Sequence, residues 1–441
     1  MKKILLTILS VISLSANAQF WTEKATGFTT PARGLYSISI ADGNVVWALG
    51  SDSTTDPVDV TIKEFTKSTD GGNTWTPGTI DLGVGNNALG TSSITAVSET
   101  TAWISVYPDA TNIGGVWKTI DGGVTWNKQT TALFSNTVDS YANFVHFWDA
   151  NNGIAAGDPE NGEFEIYTTA DGGTTWTRVD GTNIPDPDAG GEYGWENLYE
   201  VSGNTIWFGT DLGRIFKSDD KGLTWTANAS PSTDFALDRF TFSDTNKGLL
   251  MTYNPVALFN TTDGGTTWSP SSMSITGSLF NTDIAYIPGT STVISTASAN
   301  PLGSSYSTDD GVTWTIIDGI SHGILKFLNS SFGFSGGINT DLTTGGIFKF
   351  SGIPLKTAEF DVKNQISAYP NPTKGILKLD AGTSLIKEAS VFDLLGRQVH
   401  STKFSGLNNV TLDIHSLQTG TYMLKVTSDS GKTETTKIIK N

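Results

Sequence analysis

Short apolar runs recur along the chain, separated by turns rich in glycine, asparagine, aspartate and threonine. Leu35 to Ile40 precedes Val45 to Leu49, Ile94 to Val97 precedes Ala102 to Val106, and Phe144 to Phe147 precedes Gly153 to Ala156. Runs of this length bounded by turn residues predict β-strands. Each pair leads into two further strands joined by a tight turn, as in Gly115 to Thr119, the turn Asp121-Gly122-Gly123, and Val124 to Asn127. The turn belongs to an eight-residue box, Ser/Thr-x-Asp-x-Gly-x-Thr-Trp, that occurs six times and ends at Trp75, Trp126, Trp176, Trp225, Trp268 and Trp314. In each copy the aspartate (Asp70, Asp121, Asp171, Asp220, Asp263, Asp309) can tie down turn amides. Glycine supplies positive φ, and Thr-Trp starts the next strand with a ring that packs between units.

Successive box tryptophans lie 51, 50, 49, 43 and 46 residues apart. Four strands at this period are the pattern of a β-propeller blade. After the last box come Gly323 to Leu328, Phe332 to Gly336 and Gly346 to Phe350, three strands without a box. Phe20 to Glu23 reads as an outer strand without its own blade. Joining the two ends gives a seventh blade and removes exposed sheet edges. The expected fold is all-β: a seven-bladed propeller over residues 19–350, a linker over 351–366 and a small immunoglobulin-like β-sandwich over 367–441.

Composition adds three points. Lys2 and Lys3 precede the apolar run Ile4 to Leu14 and the small-residue sequence Ser15-Ala16-Asn17-Ala18, so residues 1–18 read as a secretory signal peptide. No other stretch approaches the ~20 apolar residues of a spanning helix, so no integral membrane protein is expected. The chain has no cysteine, which removes disulfides, thiol catalysis and cysteine-bound zinc. It holds 27 basic and 44 acidic residues, for a net charge of −17, yet residues 366–441 hold 9 basic and 6 acidic ones. The acidity therefore lies before the C-terminal segment and disfavours nucleic acid and anionic membranes as partners. All 13 tryptophans precede residue 315, which also separates the two parts.

The six boxes resemble those of Asp-box, or BNR-repeat, propellers, which include sialidases, xyloglucanase-type glycosidases, sortilin-type receptors and the photosystem II assembly-factor-like family. Phe144-Val-His-Phe-Trp148 followed by Asn152 to Gly157 looks most like the last of these. In those families the box lies away from the ligand site. The C-terminal segment runs through Tyr369-Pro370-Asn371-Pro372, Asp393-Leu-Leu-Gly396-Arg397, Gly420-Thr-Tyr422 and a final strand containing Lys437. In that order it is similar to the type A C-terminal sorting domain of the type IX secretion system of Bacteroidetes. The resemblance implies export by the N-terminal signal, recognition of residues 367–441 by the type IX translocon, and delivery to the medium or the outer cell surface.

In a propeller the long inter-blade loops share one face with the starts of the innermost strands, opposite the boxes, so functional groups should collect there. Arg33, Tyr141, Trp195, Glu196, Arg239, Asp283 and His322 stand at such starts and are the expected ligand-binding residues, for a glycan or a peptide terminus. Two acidic loops, around Asp158 and Glu160 and around Asp186 and Asp188, could meet and offer oxygen ligands to Ca²⁺; no other cofactor is implied. Sialidases need three arginines on a carboxylate. Here the propeller has only Arg33, Arg178, Arg214 and Arg239, and no Phe/Tyr-Arg-Ile-Pro motif. Xyloglucanase-type enzymes use a cleft between two propellers, and one is expected here. His146 sits inside an apolar strand and reads as a core histidine, so no catalytic residue is nominated. The expectation is a secreted or surface-displayed monomer that binds an extracellular protein or glycan. An extracellular glycoside hydrolase is the main alternative, and a structural or adhesive surface protein is another.

Overall fold

The computed structural model describes residues 20–54, 62–85, 88–108, 113–134, 140–188, 191–236, 238–271, 278–353, 367–382, 384–429 and 433–441. The expected signal peptide, most of the expected linker and parts of the loops near 55–61, 109–112 and 189–190 lie outside the described residues. The chain divides into two compact units after residue 354. Among the described residues strands dominate, and the one helical element is the 3-10 turn Gly181–Asn183. No helix among them is long and apolar enough to cross a membrane.

Among its described residues the first unit holds seven four-stranded antiparallel sheets. Six are built from consecutive strands, as in Arg33–Ile40, Val46–Asp52, Glu64–Ser68 and Thr76–Thr79. The seventh combines Leu325–Asn329, Phe332–Asp341 and Thr344–Phe350 with Trp21–Ala25 from the other end of the chain, in the register Trp21↔Phe350 to Ala25↔Gly346. The first strands of successive sheets are neighbours all the way round, and Leu325–Asn329 returns to Arg33–Ile40, so the array closes on itself. Closure is fastened in the core. The Trp21 indole donates to Ser304 Oγ at 3.1 Å, and the ring packs edge-on against Phe20 and Phe350.

The box explains how neighbouring sheets are joined. In the second copy Asp121 Oδ1 accepts from Thr119 Oγ1 at 2.8 Å and from the Thr125 amide at 2.9 Å, while Oδ2 accepts from Thr125 Oγ1 at 2.6 Å. Gly122 and Gly123 take φ of +80° and +93°, which the turn requires. Two copies place Lys221 and Asp310 at this strained position, with φ of +61° and +59°. Each box then serves as a dock for the sheet before it. Lys67 Nζ donates to Gly122 O, Lys118 Nζ to Gly172 O, and the Trp207 indole to Gly264 O. Trp47, Trp103 and Trp207, on the second strands of their sheets, are wholly buried beneath these contacts.

In the second unit, Ser367–Tyr369, Ile376–Asp380 and Asn409–Asp413 form a three-stranded sheet. Gln398–Leu407, Ile386–Phe392, Gly420–Ser428 and Thr433–Lys440 form a four-stranded one. Alternating side chains from both, among them Leu377, Leu412, Val391, Leu424 and Ile438, share one buried core. Asn371 ties the start of the unit to its end: its Nδ2 donates to Lys437 O and its Oδ1 accepts from the Ile439 amide, both at 2.8 Å.

Candidate functional site

The starts of the first strands surround a cavity of about 370 Å³ at one mouth of the ring. Trp195, Glu196, Arg239 and Asp283 line it, together with Tyr36, Tyr107, Asn197, Glu200 and Lys326. The decisive local feature is an irregularity in Gly194–Ser202, whose register with the next strand shifts between Gly194 and Tyr199. A bulge re-aims side chains. Here Asn197, at φ +54°, donates from Nδ2 to Tyr36 O at 2.7 Å and accepts from Ser37 Oγ at 3.1 Å, linking two sheets that are not sequence neighbours. The Tyr36 hydroxyl in turn donates to Thr91 O at 2.6 Å. A second cavity of about 250 Å³, lined by the other ends of the first strands, contains His146 and Tyr286 and shares Tyr199, Glu200 and Lys326 with the first.

Electrostatically the mouth mixes signs. Withdrawal from bulk water raises the carboxyls of Glu196, Glu200 and Asp283 above their ordinary values. Lys326, 3.9 Å from Glu200, and Arg239, facing Asp283, oppose that rise. Asp283 also accepts from the Leu325 and Ile284 amides at 2.7 and 2.9 Å. Beside the mouth, burial pushes Asp158 up to about 7, although its Oδ1 accepts from Asn143 Nδ2 at 2.7 Å and from the Gly194 amide at 3.0 Å; the charges of Glu196 and Asp211 add to the rise. His146 is pushed down to about 3 by burial and by the charges of Lys326 and Lys221, which keeps it neutral. Tyr193, 39 % exposed, stands edge-on to Trp195 at 5.5 Å, and the Trp195 indole donates to Asp234 Oδ1 at 3.1 Å.

The remaining candidate positions lie elsewhere. Arg33 turns away from the cavity into a double ion pair, Nη1 to Asp52 at 2.7 Å and Nε to Glu64 at 2.8 Å. Tyr141 stacks on Tyr107, ring centroids 5.7 Å apart, and so stands behind a wall residue. His322 is fully buried: Nε2 lies 3.1 Å from Asp318 Oδ2, and the ring packs against Phe348 and Trp21. The segments that carry the acidic residues touch where the Gly194 amide donates to Asp158 Oδ1, a contact between the strands Gly153–Glu160 and Gly194–Ser202. Their organising charge is Glu192, which is buried, grips Arg214 and accepts from the Asp188 amide, while Asp186 contributes its carbonyl to Arg214. Glu160 ends the strand Gly153–Glu160, opposite Glu163. Among the described residues no group of three or more histidine or carboxylate side chains is placed to hold a metal ion. The contributions of Tyr36, Asn197, Glu200, Lys326, Glu192 and Arg214 escape the strand-start rule. A sequence signal for some of them is the polar pair Glu196-Asn197 inside an otherwise alternating strand.

Comparison with known proteins separates the two units. Over 244 residues, 46 % of this chain and 23 % of the relative, the sequence is 27 % identical to a xyloglucanase of Paenibacillus sp. Over 281 residues, 59 % of this chain and 49 % of the relative, it is 24 % identical to ulvan lyase NLR42 of Nonlabens ulvanivorans. The chain thus spans half or less of the length of these relatives. The solved structure of YCF48 bound to D1 peptide matches with a TM-score of 0.50 at 16 % identity, covering 78 % of this chain and all of that one, which shows a shared β-propeller fold. Residues 367–441 match the family model of the secretion system C-terminal sorting domain. They are a type IX secretion sorting domain, and the chain is exported by that route to the cell surface or the extracellular space.

Proposed function

We propose that the first unit is a seven-bladed propeller that binds an extracellular glycan or protein at the Trp195 mouth, carried out of the cell by an immunoglobulin-like sorting domain. One observation carries the reading. A single cavity offers an aromatic wall of Tyr36, Tyr107 and Trp195 together with Glu196, Arg239 and Asp283, a combination of stacking faces with donors and acceptors that suits sugars and peptide ends. The box side chains, by contrast, are occupied in turns and inter-sheet contacts. The test is a glycan and surface-protein array probed with the exported chain. Binding should fall at least about tenfold in Trp195→Ala, as for a buried aromatic anchor; array binding unaffected by that change would remove this mouth as the site.

The second reading is a carbohydrate-active enzyme, favoured by the relatives named xyloglucanase and ulvan lyase and by Asp158, a carboxyl able to carry a proton near neutrality beside Glu196. Its test is turnover of xyloglucan and ulvan by the purified chain. Products that vanish in Glu196→Gln and Asp158→Asn would favour it over binding alone.

A further inference from the structure

In the second unit, Leu394 and Leu395 stand at the tip of the hairpin between Ile386–Phe392 and Gln398–Leu407 and are 71 % and 81 % exposed. Among the described residues of this unit the other exposed large apolar side chains, such as Tyr369, Leu407 and Met423, are only 36–57 % exposed. The tip is firmly built. Asp393 Oδ1 accepts from the Leu395 amide at 2.9 Å and the Arg397 amide at 3.0 Å, and Oδ2 accepts from Arg397 Nε at 2.8 Å. Two backbone bonds close it, Asp393 N to Arg397 O and Gly396 N to Asp393 O, both at 3.0 Å, with Gly396 at φ +80°. This turn geometry uses Asp393, Gly396 and Arg397; it makes no demand on the two side chains between them.

A lone exposed leucine means little. Two adjacent ones, fixed on a braced tip where any polar residue would fit the turn, add nothing to the core of this unit, which is filled by Leu377, Leu412, Leu424, Val426 and Ile438. With the core closed, whatever reads this sorting domain must read its outside, and the tip carries its most exposed apolar side chains. A pre-organised apolar tip loses little freedom on docking. We propose that Leu394 and Leu395 are the apolar anchor by which the type IX secretion machinery grips the domain, entering an apolar pocket on a translocon component, with Asp393 and Arg397 holding them in position.

The test uses the full chain in a host with type IX secretion. For L394S/L395S the exported fraction should fall at least about tenfold, the loss expected of a hot-spot pair, with chain accumulating in the periplasm. L394M/L395M, which keeps an apolar tip, should export within about twofold of wild type. The purified serine variant should melt with the wild-type chain, because neither leucine is buried. A photo-crosslinking residue at position 395 should form an adduct with a secretion component. Normal export of the serine variant would overturn the proposal, as would adducts formed only with a second copy of this chain. A lowered melting point in the serine variant would overturn it too, by making the leucines structural.

Discussion

Trp21 provides the sharpest test of how the ring is closed. Its strand comes from the opposite end of the chain to the rest of the seventh sheet, and its ring, 3 % exposed, packs against Phe20, Phe327 and Phe350 while its indole donates to Ser304 in the sixth sheet. Trp21→Ala removes a large buried ring, a change that costs about 3–5 kcal/mol where the core cannot collapse. Loss of the hydrogen bond accounts for roughly 1 kcal/mol of this. Trp21→Phe keeps most of the packing and should cost about 1–2 kcal/mol, between the hydrogen bond alone and a small cavity. A third variant, Trp268→Ala, calibrates the pair: that box ring is only partly buried and its indole has no hydrogen-bond partner among the described residues, so a smaller loss is expected. Guanidinium unfolding of the exported chain, followed by tryptophan fluorescence and far-UV circular dichroism, reads all three. If the closing strand locks the whole ring, Trp21→Ala moves the main transition of the first unit as one step. A loss below about 1 kcal/mol, or a small separate transition ahead of an unmoved main one, would refute the reasoning.

Three further outcomes are expected. The Asp263 carboxylate is held down at about 2, chiefly by the Thr267 hydroxyl and amide, so its contribution is complete above the ordinary value near 3.8 and disappears as pH falls through about 2. Asp263→Asn should therefore unfold at lower denaturant than wild type at pH 6, with the gap narrowing between about pH 4 and pH 2. Asp158 has the opposite sign: its folded value, about 7, exceeds the ordinary 3.8, so deprotonation costs stability as pH rises between the two. Asp158→Asn should gain on wild type from about pH 4 to pH 7 and hold a constant lead above that, which denaturation at pH 4.5 and pH 8 will measure. Asn197 combines positive φ with two hydrogen bonds across the ring, so Asn197→Ala should lose about 2–3 kcal/mol, and Asn197→Gly, free of the backbone strain, should lose less, both by denaturant unfolding.

The repeat was legible because its chemistry is local. An aspartate that satisfies turn amides, a glycine at positive φ and a Thr-Trp strand start must sit at fixed offsets within eight residues, and all six copies keep Asp, Gly, Thr and Trp at those offsets. Even Lys221 and Asp310, which take positive φ without being glycine, leave the rest of the pattern intact. The pairing of Trp21–Ala25 with Thr344–Phe350 follows from counting strands, because an unpaired edge at each end of an array invites closure.

The mouth was legible only as far as strand position determines it, and the exceptions share one cause. Arg33 and Asp283 occupy equivalent strand starts, yet Asp283 lines the cavity and Arg33 does not. Arg33 lies directly opposite Asp52 in the sheet, and Glu64 follows one strand further out, so two carboxylates within its own sheet capture it. That outcome depends on register, which hydrophobic alternation fixes only where one face is clearly buried. The Gly194–Tyr199 shift has the same character. Within Trp195 to Leu198 the simple alternation of faces is broken, which turns Asn197 across the ring and sets Trp195 and Glu196 at the cavity wall. Sequence periodicity assumes an unbroken period of two, and the residues around which recognition is proposed are those where the strand departs from it. Straightening this strand should therefore damage binding as well as the stability that the two Asn197 hydrogen bonds contribute. The bulge is the segment where the chain gives up ladder hydrogen bonds to aim side chains into the cavity.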